Sequence, residues 1–483
     1  MKKKIKPSPF LSILPLALLV AMLVLVIRAF GSDALSGASQ VVLLLASGCC
    51  VGIGMLRLHV PWHDFERAII HNVCSVTTAI VILLLIGALS GTWMLSGVVP
   101  SLIYYGLQVI RPEVFLLASC LISALVSVMT GSSWTTIATI GIALMGIGQA
   151  FGFNEGWIAG AIISGAYFGD KISPLSDTTV LASSAAEVTL FTHIRYMVYT
   201  TLPSFLIALA VFAVAGWGTA AGSGQQVEAF SQALAARFSI SPWLLLVPVL
   251  TGVLIVRKVP SIITLFLSVL MALAAALLVQ RPVLAEIAGG DVFRGAMLSV
   301  YGSTSLATPD ATLTDLVSTR GMAGMMNTIW LILCAMCFGG TMQAGGMVRG
   351  ITRLLVGMVR GRTSLVGATV CSGLLLNTAI ADQYLCILLN ANLLKRIYDV
   401  KGYERRLLSR TTEDSVTVTS VLVPWNTCGM TQSTVLGVST LTYLPYCIFN
   451  LLSPLMSLLV AAAGFRIYRK KNLRTKSSKT SPN

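Results

Sequence analysis

The sequence predicts an all-α polytopic membrane protein, and its composition, hydropathy and apolar runs all point to that fold class. Of the 483 residues, 55% are hydrophobic and only 11% are charged, whereas a soluble domain carries about 25% charged residues. The mean hydropathy is +0.85, and apolar runs of about 20 residues, each long enough to cross a hydrocarbon core of ~30 Å, recur along the chain. These values exclude an ordinary soluble enzyme, a disordered chain and a disulfide scaffold.

The apolar runs predict roughly 10–12 spans, because several of them are short or glycine-rich and are typical of broken helices or re-entrant hairpins. Residues 10–30 follow a basic N-terminus but lack a small-x-small cleavage motif, so this run is predicted to be a retained first helix. The candidate spans are 10–30, 39–56, 74–94, 112–130, 135–151, 156–169, 196–216, 242–256, 259–280, 326–345, 364–380, 433–450 and 451–467.

A polar stretch at 218–237 separates two predicted transporter halves, residues 39–240 and 241–467. They are flanked by a basic tail with the first span (1–38) and by a second basic tail (468–483). A further polar stretch, 282–320, is predicted to be an external loop because it is too polar to lie in lipid.

The net charge of +15 predicts membrane orientation and gives no indication of nucleic-acid binding. Of the 33 Lys and Arg residues, 21 lie in four short stretches beside apolar segments: 1–6, 349–362, 395–410 and from 466 onward. Basic residues gather on the cytoplasmic side during insertion. Both termini are therefore predicted to be cytoplasmic, which requires an even number of spans.

Five of the 18 acidic residues adjoin apolar segments and are surrounded by Ser, Thr or Asn. A charge at the bilayer centre costs ~2.5–3.5 kcal/mol on insertion scales, so such residues persist when they line a site. They are Asp170, Asp177, Asp382, Glu413 and Asp414.

The residues around these acids favour a site for a hard cation such as Na⁺, which prefers oxygen ligands. Pro174 would break the helix between Asp170 and Asp177 and free backbone carbonyls to face an ion. A buried carboxylate could then hold either a cation or a proton, and exclusive occupancy is the basis of cation/proton exchange. We predict Na⁺ at Asp170 and Asp177. The remaining predicted cation- or proton-binding residues are Ser173, Thr178, Thr179, Asp382 and Asp414.

The order of motifs is similar in the two halves, which predicts two structural repeats. An apolar run leads to a polar tip at 130–133, followed by an acidic Ser/Thr-rich break at 169–179; the second half has a tip at 377–382 and a break at 413–420. The tips and breaks supply the predicted pathway-lining residues Ser132, Ser133, Lys171, Asn377, Thr378, Glu413, Thr417, Thr419 and Asn426.

The residues alone leave one other interpretation of the acids open and disfavour two other classes of protein. The acids could pair with Lys171, His193 or Arg195 and only orient helices. An ATP-driven pump or an intramembrane enzyme is disfavoured, because the sequence has no Gly-x-x-x-x-Gly-Lys-Ser/Thr loop and no assembled protease motif.

Several motifs resemble the NhaC-type sodium/proton antiporter family, and the resemblance extends from about residue 35 to 465. The longest is GAIISGAYFGDKISPLSDTT at 160–179. The others are LFTHIR at 190–195, ADQY at 381–384, SRT at 409–411, EDS at 413–415, PWNTCG at 424–429 and YLPY at 443–446. Val180, Val416 and Val418 depart from the family's polar pattern and leave fewer oxygens near the acids.

The resemblance implies an ion-transporter superfamily fold with two inverted-topology repeats and alternating access. It implies a multi-pass antiporter of the bacterial inner membrane that exchanges Na⁺ or Li⁺ for H⁺, needs no cofactor and has the lipid bilayer as its partner. The resemblance leaves the oligomeric state open between a monomer and a homodimer. Malate/lactate antiporter-like relatives keep a second function open, a Na⁺- or H⁺-coupled exchanger of organic acids or amino acids, in which Lys171 and Arg195 would meet a carboxylate.

Overall fold

The computed structural model describes residues 7–30, 37–218, 224–308 and 311–469, and these residues are almost entirely helical. Their only extended pairings are two isolated bridges, Thr304 with Thr319 and Tyr403 with Arg469. The predicted all-α class is confirmed. The basic residues at 1–6 and nearly all of the predicted basic tail at 468–483 lie outside the described residues.

Twelve helices precede residue 240 and thirteen follow it among the described residues. The first group is α1 (Pro9–Phe30), α2 (Ala38–Arg57), α3 (Trp62–Ser75), α4 (Thr77–Leu95), α5 (Val98–Val109), α6 (Phe115–Thr130), α7 (Ser133–Thr136), α8 (Ile142–Ala150), α9 (Glu155–Ile172), α10 (Asp177–Ala185), α11 (Leu190–Gly218) and α12 (Gly224–Arg237). The second group is α13 (Leu246–Val256), α14 (Ser261–Val279), α15 (Arg281–Ile287), α16 (Val292–Tyr301), α17 (Ala311–Val317), α18 (Met326–Ala344), α19 (Met347–Gly357), α20 (Arg362–Ala379), α21 (Gln383–Val400), α22 (Arg405–Thr412), α23 (Thr427–Leu436), α24 (Thr440–Tyr443) and α25 (Ile448–Ala463).

Seven described helices are long and apolar enough to cross a membrane, and the number rises to nine if two sharply bent pairs each count as one span. The bent pairs are Val227–Arg237 with Pro242–Val256, at 91°, and Thr440–Tyr446 with Ile448–Ala463, at 56°. The protein is therefore a multi-pass membrane protein with broken helices. The number is below the expected roughly 10–12 spans because α9 carries three charged residues and α20 is polar at both ends.

Two predicted segments differ from the structure. Residues 433–450 are not one span: the chain leaves the helix at Gly437, which has φ +70°, and bends again before α25 begins at Ile448. Residues 282–320, predicted to be an external loop, contain regular structure. They contain α15, α16 and α17, and α16 buries Ala296 and Ser299. The average polarity of the segment gives no sign of the short amphipathic helix α16, whose buried face packs against α4.

A π-helical turn occurs in each half, immediately beyond a short helix. Ile137–Gly141 joins α7 to α8, and Glu413–Thr417 continues α22. A π-turn leaves one backbone carbonyl without its usual partner and is frequent at functional sites. The predicted span 135–151 is consequently one continuous helical segment, made of α7, the π-turn and α8, whose backbone stays in the right-handed helical region at both junctions.

Among the described helices, α6 and α9 share the most extensive contact, and two glycines on α9 allow their backbones to approach. A side chain at Gly165 would collide with the Cys120 carbonyl, and one at Gly169 with the Ala124 carbonyl. The Ser127 hydroxyl donates to the Ala166 carbonyl across the same contact, at 2.6 Å. This spacing of small residues is typical of membrane helices that pack closely.

Gly165→Ala is expected to separate α6 from α9 and destabilise the protein by about 1–3 kcal/mol, because a rigid backbone carbonyl occupies the space of the new methyl group. The measurement is the midpoint of thermal unfolding in detergent. Gly48→Ala is the matched control, since Gly48 is helical and has nothing within 4 Å of the added carbon. Equal stability of the two variants would contradict the packing described here.

Candidate functional site

The first polar tip lies at the junction of α6 and α7 and faces the last turn of α9. Gly131 ends α6 in the left-handed region, with φ +66°, and Ser132 caps α7 by accepting from the Thr135 amide at 3.2 Å. Ser133 donates to Asp170 Oδ2 twice, from its amide at 3.1 Å and from its hydroxyl at 2.8 Å. Asp170 is 5% exposed. The fold therefore brings together a tip residue and an acid that are 37 positions apart.

The break after α9 orders several hydroxyl groups. The Ser173 hydroxyl donates to the Val128 carbonyl at 2.8 Å, and the Thr179 hydroxyl donates to the Lys171 carbonyl at 3.1 Å. Thr178 is hydrogen-bonded to Ser176, the residue that caps α10 and also lies beside the Asp170 carboxylate. These contacts hold the broken segment closed around the end of α9.

Asp170 and Asp177 differ in their surroundings, although both act electrostatically on the Tyr384 phenol. Asp170 is buried, whereas Asp177 is exposed in the first turn of α10. Asp382 in the second half also acts on the Tyr384 phenol electrostatically, so this phenol is within electrostatic range of acids from both halves of the chain. Sequence reasoning did not select Tyr384, because one tyrosine within a motif gives no sign of what surrounds it.

The second polar tip lies where α20 ends and α21 begins. Asp382 caps α21 by accepting from the Leu385 amide at 2.9 Å, and the Thr427 hydroxyl lies 3.5 Å from its other oxygen. Ala381 just before it has φ +62°, a left-handed conformation that is strained for a residue with a side chain. Asp382 is 3% exposed.

Two asparagines tie the second tip to the broken segment of its own half. The Asn377 amide donates to the Val416 carbonyl at 2.8 Å and to Thr419 at 3.1 Å, and Asn426 donates to the Asn377 carbonyl at 3.2 Å. Thr378 is half-buried and bonds within α20, at 2.9 Å to the Leu375 carbonyl.

Lys171 and Asp414 form an ion pair between α9 and the π-turn of the second half, and both side chains are fully buried. The ammonium also donates to Ser453 at 3.1 Å. Ser453 and Ser457 on α25 donate to the two oxygens of Asp414. Both oxygens of Asp414 therefore accept hydrogen bonds from side chains of the protein. This agrees, for Asp414, with the alternative interpretation that the acids pair with basic side chains.

Glu413 is fully buried beside this pair, and neither of its carboxylate oxygens has a hydrogen-bond partner among the described residues. Its charged neighbours are Lys171, Asp170 and Asp414. The Thr417 hydroxyl, one turn further along the π-helical segment, also has no partner in that part of the chain. Glu413 is thus within electrostatic range of both Asp170 and the Lys171–Asp414 pair.

Arg410 was not selected as a functional residue, because it was assigned to the basic stretch 395–410 that was expected to set orientation. It is 0% exposed, and its guanidinium stacks on Tyr196 with 4.6 Å to the ring centroid. The signal in the sequence was its i,i+4 spacing from Asp414, which places both on one face of the helix. Arg195, by contrast, is exposed.

An exposed ion-pair network joins the end of α10 to α21 and α22. Glu187 pairs with Lys395 at 2.6 Å and with Arg405, and Arg405 also pairs with Asp399 at 2.7 Å. The network borders a surface cavity of about 250 Å³ between the start of α11 and the start of α22. Lys395 and then Arg405 hold the pKa of the Glu187 carboxyl below its usual value.

Glu187→Gln is expected to lower the thermal midpoint slightly at pH 7, because it removes both ion pairs of an exposed acid. A lowered folded-state pKa contributes stability above the unfolded pKa, and that contribution disappears as the pH falls through the folded value. The difference between variant and wild type should therefore shrink on acidification below the ordinary range of a glutamate. A difference that grows under acid conditions would contradict this assignment.

No group of three or more His, Cys, Asp or Glu side chains among the described residues could hold a metal ion. A cation at Asp170 would instead be held by one carboxylate with hydroxyl and carbonyl oxygens. The hydroxyl oxygens of Ser133 and Ser176, which lie beside the Asp170 carboxylate, are ligands of the kind that a hard cation prefers.

Broken helices, polar tips and buried carboxylates beside an intramembrane ion pair define a polytopic α-helical transporter. The profile of the Na⁺/H⁺ antiporter family matches residues 2–188 and 165–465. The chain belongs to this family, and the resemblance given by its motifs is confirmed.

Curated relatives match over most of the chain. A Na⁺/H⁺ antiporter NhaC of Alkalihalophilus pseudofirmus is 36% identical over 87% of this chain and 89% of its own length. A malate-2H⁺/Na⁺-lactate antiporter of Bacillus subtilis is 35% identical over 88% and 89%. An arginine/ornithine antiporter ArcD of Halobacterium salinarum is 33% identical over 96% and 94%. The solved structure of Neisseria gonorrhoeae MtrF aligns with 92% of this chain and 94% of that chain at 14% identity, with a TM-score of 0.39, too low to support an argument.

Proposed function

We propose that this protein is a secondary antiporter that exchanges Na⁺ or Li⁺ for H⁺ across a bacterial cytoplasmic membrane by alternating access. The buried Asp170 carboxylate carries the proposal. Two hydrogen bonds from Ser133 fix its Oδ2, so the group is oriented while it stays able to accept a cation or a proton. A site that holds only one of the two at a time couples their movements in opposite directions.

The other predicted site residues take supporting roles in this proposal. Asp177, with Thr178 and Thr179, forms the exposed edge of the site on α10, where a hydrated cation first meets a carboxylate. Asp382 and Tyr384 face the site from the second half. Glu413 and the Lys171–Asp414 pair adjoin it on the side of the π-turn.

The orientation is also part of the proposal: both termini lie in the cytoplasm, as the basic residues at 1–6 and from 466 onward favour. Reporter fusions at each terminus test this. Alkaline phosphatase activity at either terminus would contradict it, since that enzyme folds only outside the cytoplasm.

A second candidate, cation-coupled exchange of an organic acid or amino acid, is favoured by one observation. The buried Arg410 guanidinium has no hydrogen bond to any described residue, and a guanidinium is the group best suited to a carboxylate. The malate/lactate and arginine/ornithine antiporters among the relatives move organic cargo by their names. In this candidate Arg410, rather than the exposed Arg195, meets the carboxylate.

Flux through purified protein in liposomes separates the two functions. Vesicles with an acidic lumen and a trapped pH indicator receive Na⁺, Li⁺, K⁺ or choline outside, and then malate, lactate, arginine or ornithine with Na⁺. The proposal predicts proton efflux with Na⁺ or Li⁺ alone and none with choline. Flux that needs an organic solute would replace it with the second candidate, and empty liposomes give the baseline leak.

A further inference from the structure

The Arg410 guanidinium is buried over an aromatic ring, and its N–H edge has no hydrogen-bond partner among the described residues. Its Cζ lies 4.6 Å from the centroid of the Tyr196 ring, and a guanidinium carries five N–H donors. None of its three nitrogen atoms has a hydrogen-bond partner among the described residues. A buried charge without hydrogen bonds is costly, so this arrangement requires an explanation.

Asp414 lies between two buried cations and is bonded to one of them. Its Oδ1 accepts from the Lys171 ammonium, whereas its Oδ2 lies 4.0 Å from Arg410 Nε, beyond hydrogen-bond distance. Lys171 belongs to α9 in the first half, whereas Arg410 shares a continuous helical segment with Asp414, one turn away. Asp414 is the acidic side chain within ion-pair distance of Arg410 in the part of the chain that the structure describes.

We propose that Arg410 is a reserve counter-ion: the Asp414 carboxylate shifts from Lys171 to Arg410 when α9 moves away from the π-turn. The inference rests on the proposed function, because alternating access supplies that movement. The carboxylate then stays paired throughout, and the unoccupied edge of Arg410 gains the hydrogen bonds that it lacks here. Arg410 is thus a positioning residue that acts through Asp414 and touches no cargo.

Among the described residues, Asp414 is the carboxylate within ion-pair distance of Arg410, and polar groups from the helices packed around it bond elsewhere. From α11, His193 bonds through Nδ1 to Ser409 at 2.8 Å. From α21, the Tyr398 hydroxyl is hydrogen-bonded to Thr369 at 2.8 Å. From α25, Ser457 donates to Asp414 itself. The shift therefore needs only a movement of the Asp414 side chain by about an ångström, from 4.0 Å to the ~2.8 Å of a charged hydrogen bond.

A thermal double-mutant cycle tests the shift without any transport measurement. Lys171→Met and Arg410→Met are each expected to lower the midpoint only slightly, because Asp414 keeps one cation in either variant. The double variant leaves the Asp414 carboxylate without a buried cation. The decrease in its thermal midpoint should therefore exceed the sum of the two single decreases by several degrees. Additive losses would overturn the proposal, as would a Lys171→Met variant that is already as unstable as the double variant or an Arg410→Met variant that fails to fold.

Transport kinetics supply the readout that a purely structural role would not move. Arg410→Met should lower the maximal rate of Na⁺/H⁺ exchange about tenfold or more with an unchanged KM for Na⁺, and Arg410→Lys should recover most of the rate. Arg406→Met is the matched control one turn earlier, where the guanidinium pairs with Glu404 near the surface. A wild-type rate in Arg410→Met would overturn the inference. Absence of exchange in the wild type would instead overturn the proposed function, and the thermal cycle would still decide the role of Arg410.

Discussion

Asp170→Asn is expected to reduce Na⁺-driven proton flux by about 100-fold or more, which corresponds to ~2.7 kcal/mol of lost interaction. An asparagine amide neither gains nor loses a proton near neutral pH, and it offers no negative charge to a cation. It still presents an oxygen to the two donors of Ser133, so the tip of α7 stays in place and the protein folds. The measurement is initial proton efflux from liposomes that contain equal amounts of each variant.

The control for this variant is Glu155→Gln, which removes an acid from the other end of the same helix. Glu155 is exposed in the first turn of α9 and bonds to Gln149. We expect its flux to equal that of the wild type. An exchange rate in Asp170→Asn within about threefold of the wild-type rate would contradict the assignment of Asp170 to the ion-binding site. Loss of a group that binds both ions should lower the rate far more than threefold.

Asp414→Asn is expected to destabilise the protein by about 3–5 kcal/mol, because it leaves buried cations without a counter-ion. Lys171 loses its ion pair, and Arg410 loses the carboxylate 4.0 Å away. The thermal midpoint and the folded fraction after size-exclusion chromatography measure the effect.

A compensating double variant separates the charge effect from the loss of shape. Lys171→Met with Asp414→Leu removes both charges of the pair and fills similar volumes, and such exchanges of buried ion pairs for apolar side chains are often neutral. We expect the double variant to be more stable than Asp414→Asn. If Asp414→Asn is as stable as the wild type, the ion pair does not hold α9 to the π-turn.

The first helix and the break after α9 could be predicted from the sequence because each signal is local. The first helix was expected at 10–30 and is found at Pro9–Phe30. Pro174 marked the break that ends α9 near Ile172, and scarcity of charge singled out Asp170. Hydropathy and the free-energy cost of a charge in lipid can both be evaluated from a short stretch of sequence, without knowing how the helices pack.

The contacts of the second half could not be predicted, because they depend on which helices pack together. Arg410 resembles the other basic residues of its stretch in the sequence, and the packing of α22 against α11, α20 and α21 buries it. Ser453 and Ser457 lie in an apolar run, and nothing in the sequence indicates that both donate hydrogen bonds to Asp414 from α25. Residues 433–450 have the composition of a span, yet Gly437 turns the chain inside it.

Proton release on Na⁺ binding tests the central claim most directly, that one buried carboxylate site holds either a cation or a proton. Purified protein in weakly buffered detergent solution with a pH indicator receives Na⁺, Li⁺ or choline at several starting pH values. The account predicts release of protons with Na⁺ or Li⁺, a weaker apparent Na⁺ affinity at lower pH, and loss of the release in Asp170→Asn. Na⁺ binding without proton release, and with an affinity independent of pH, would contradict it.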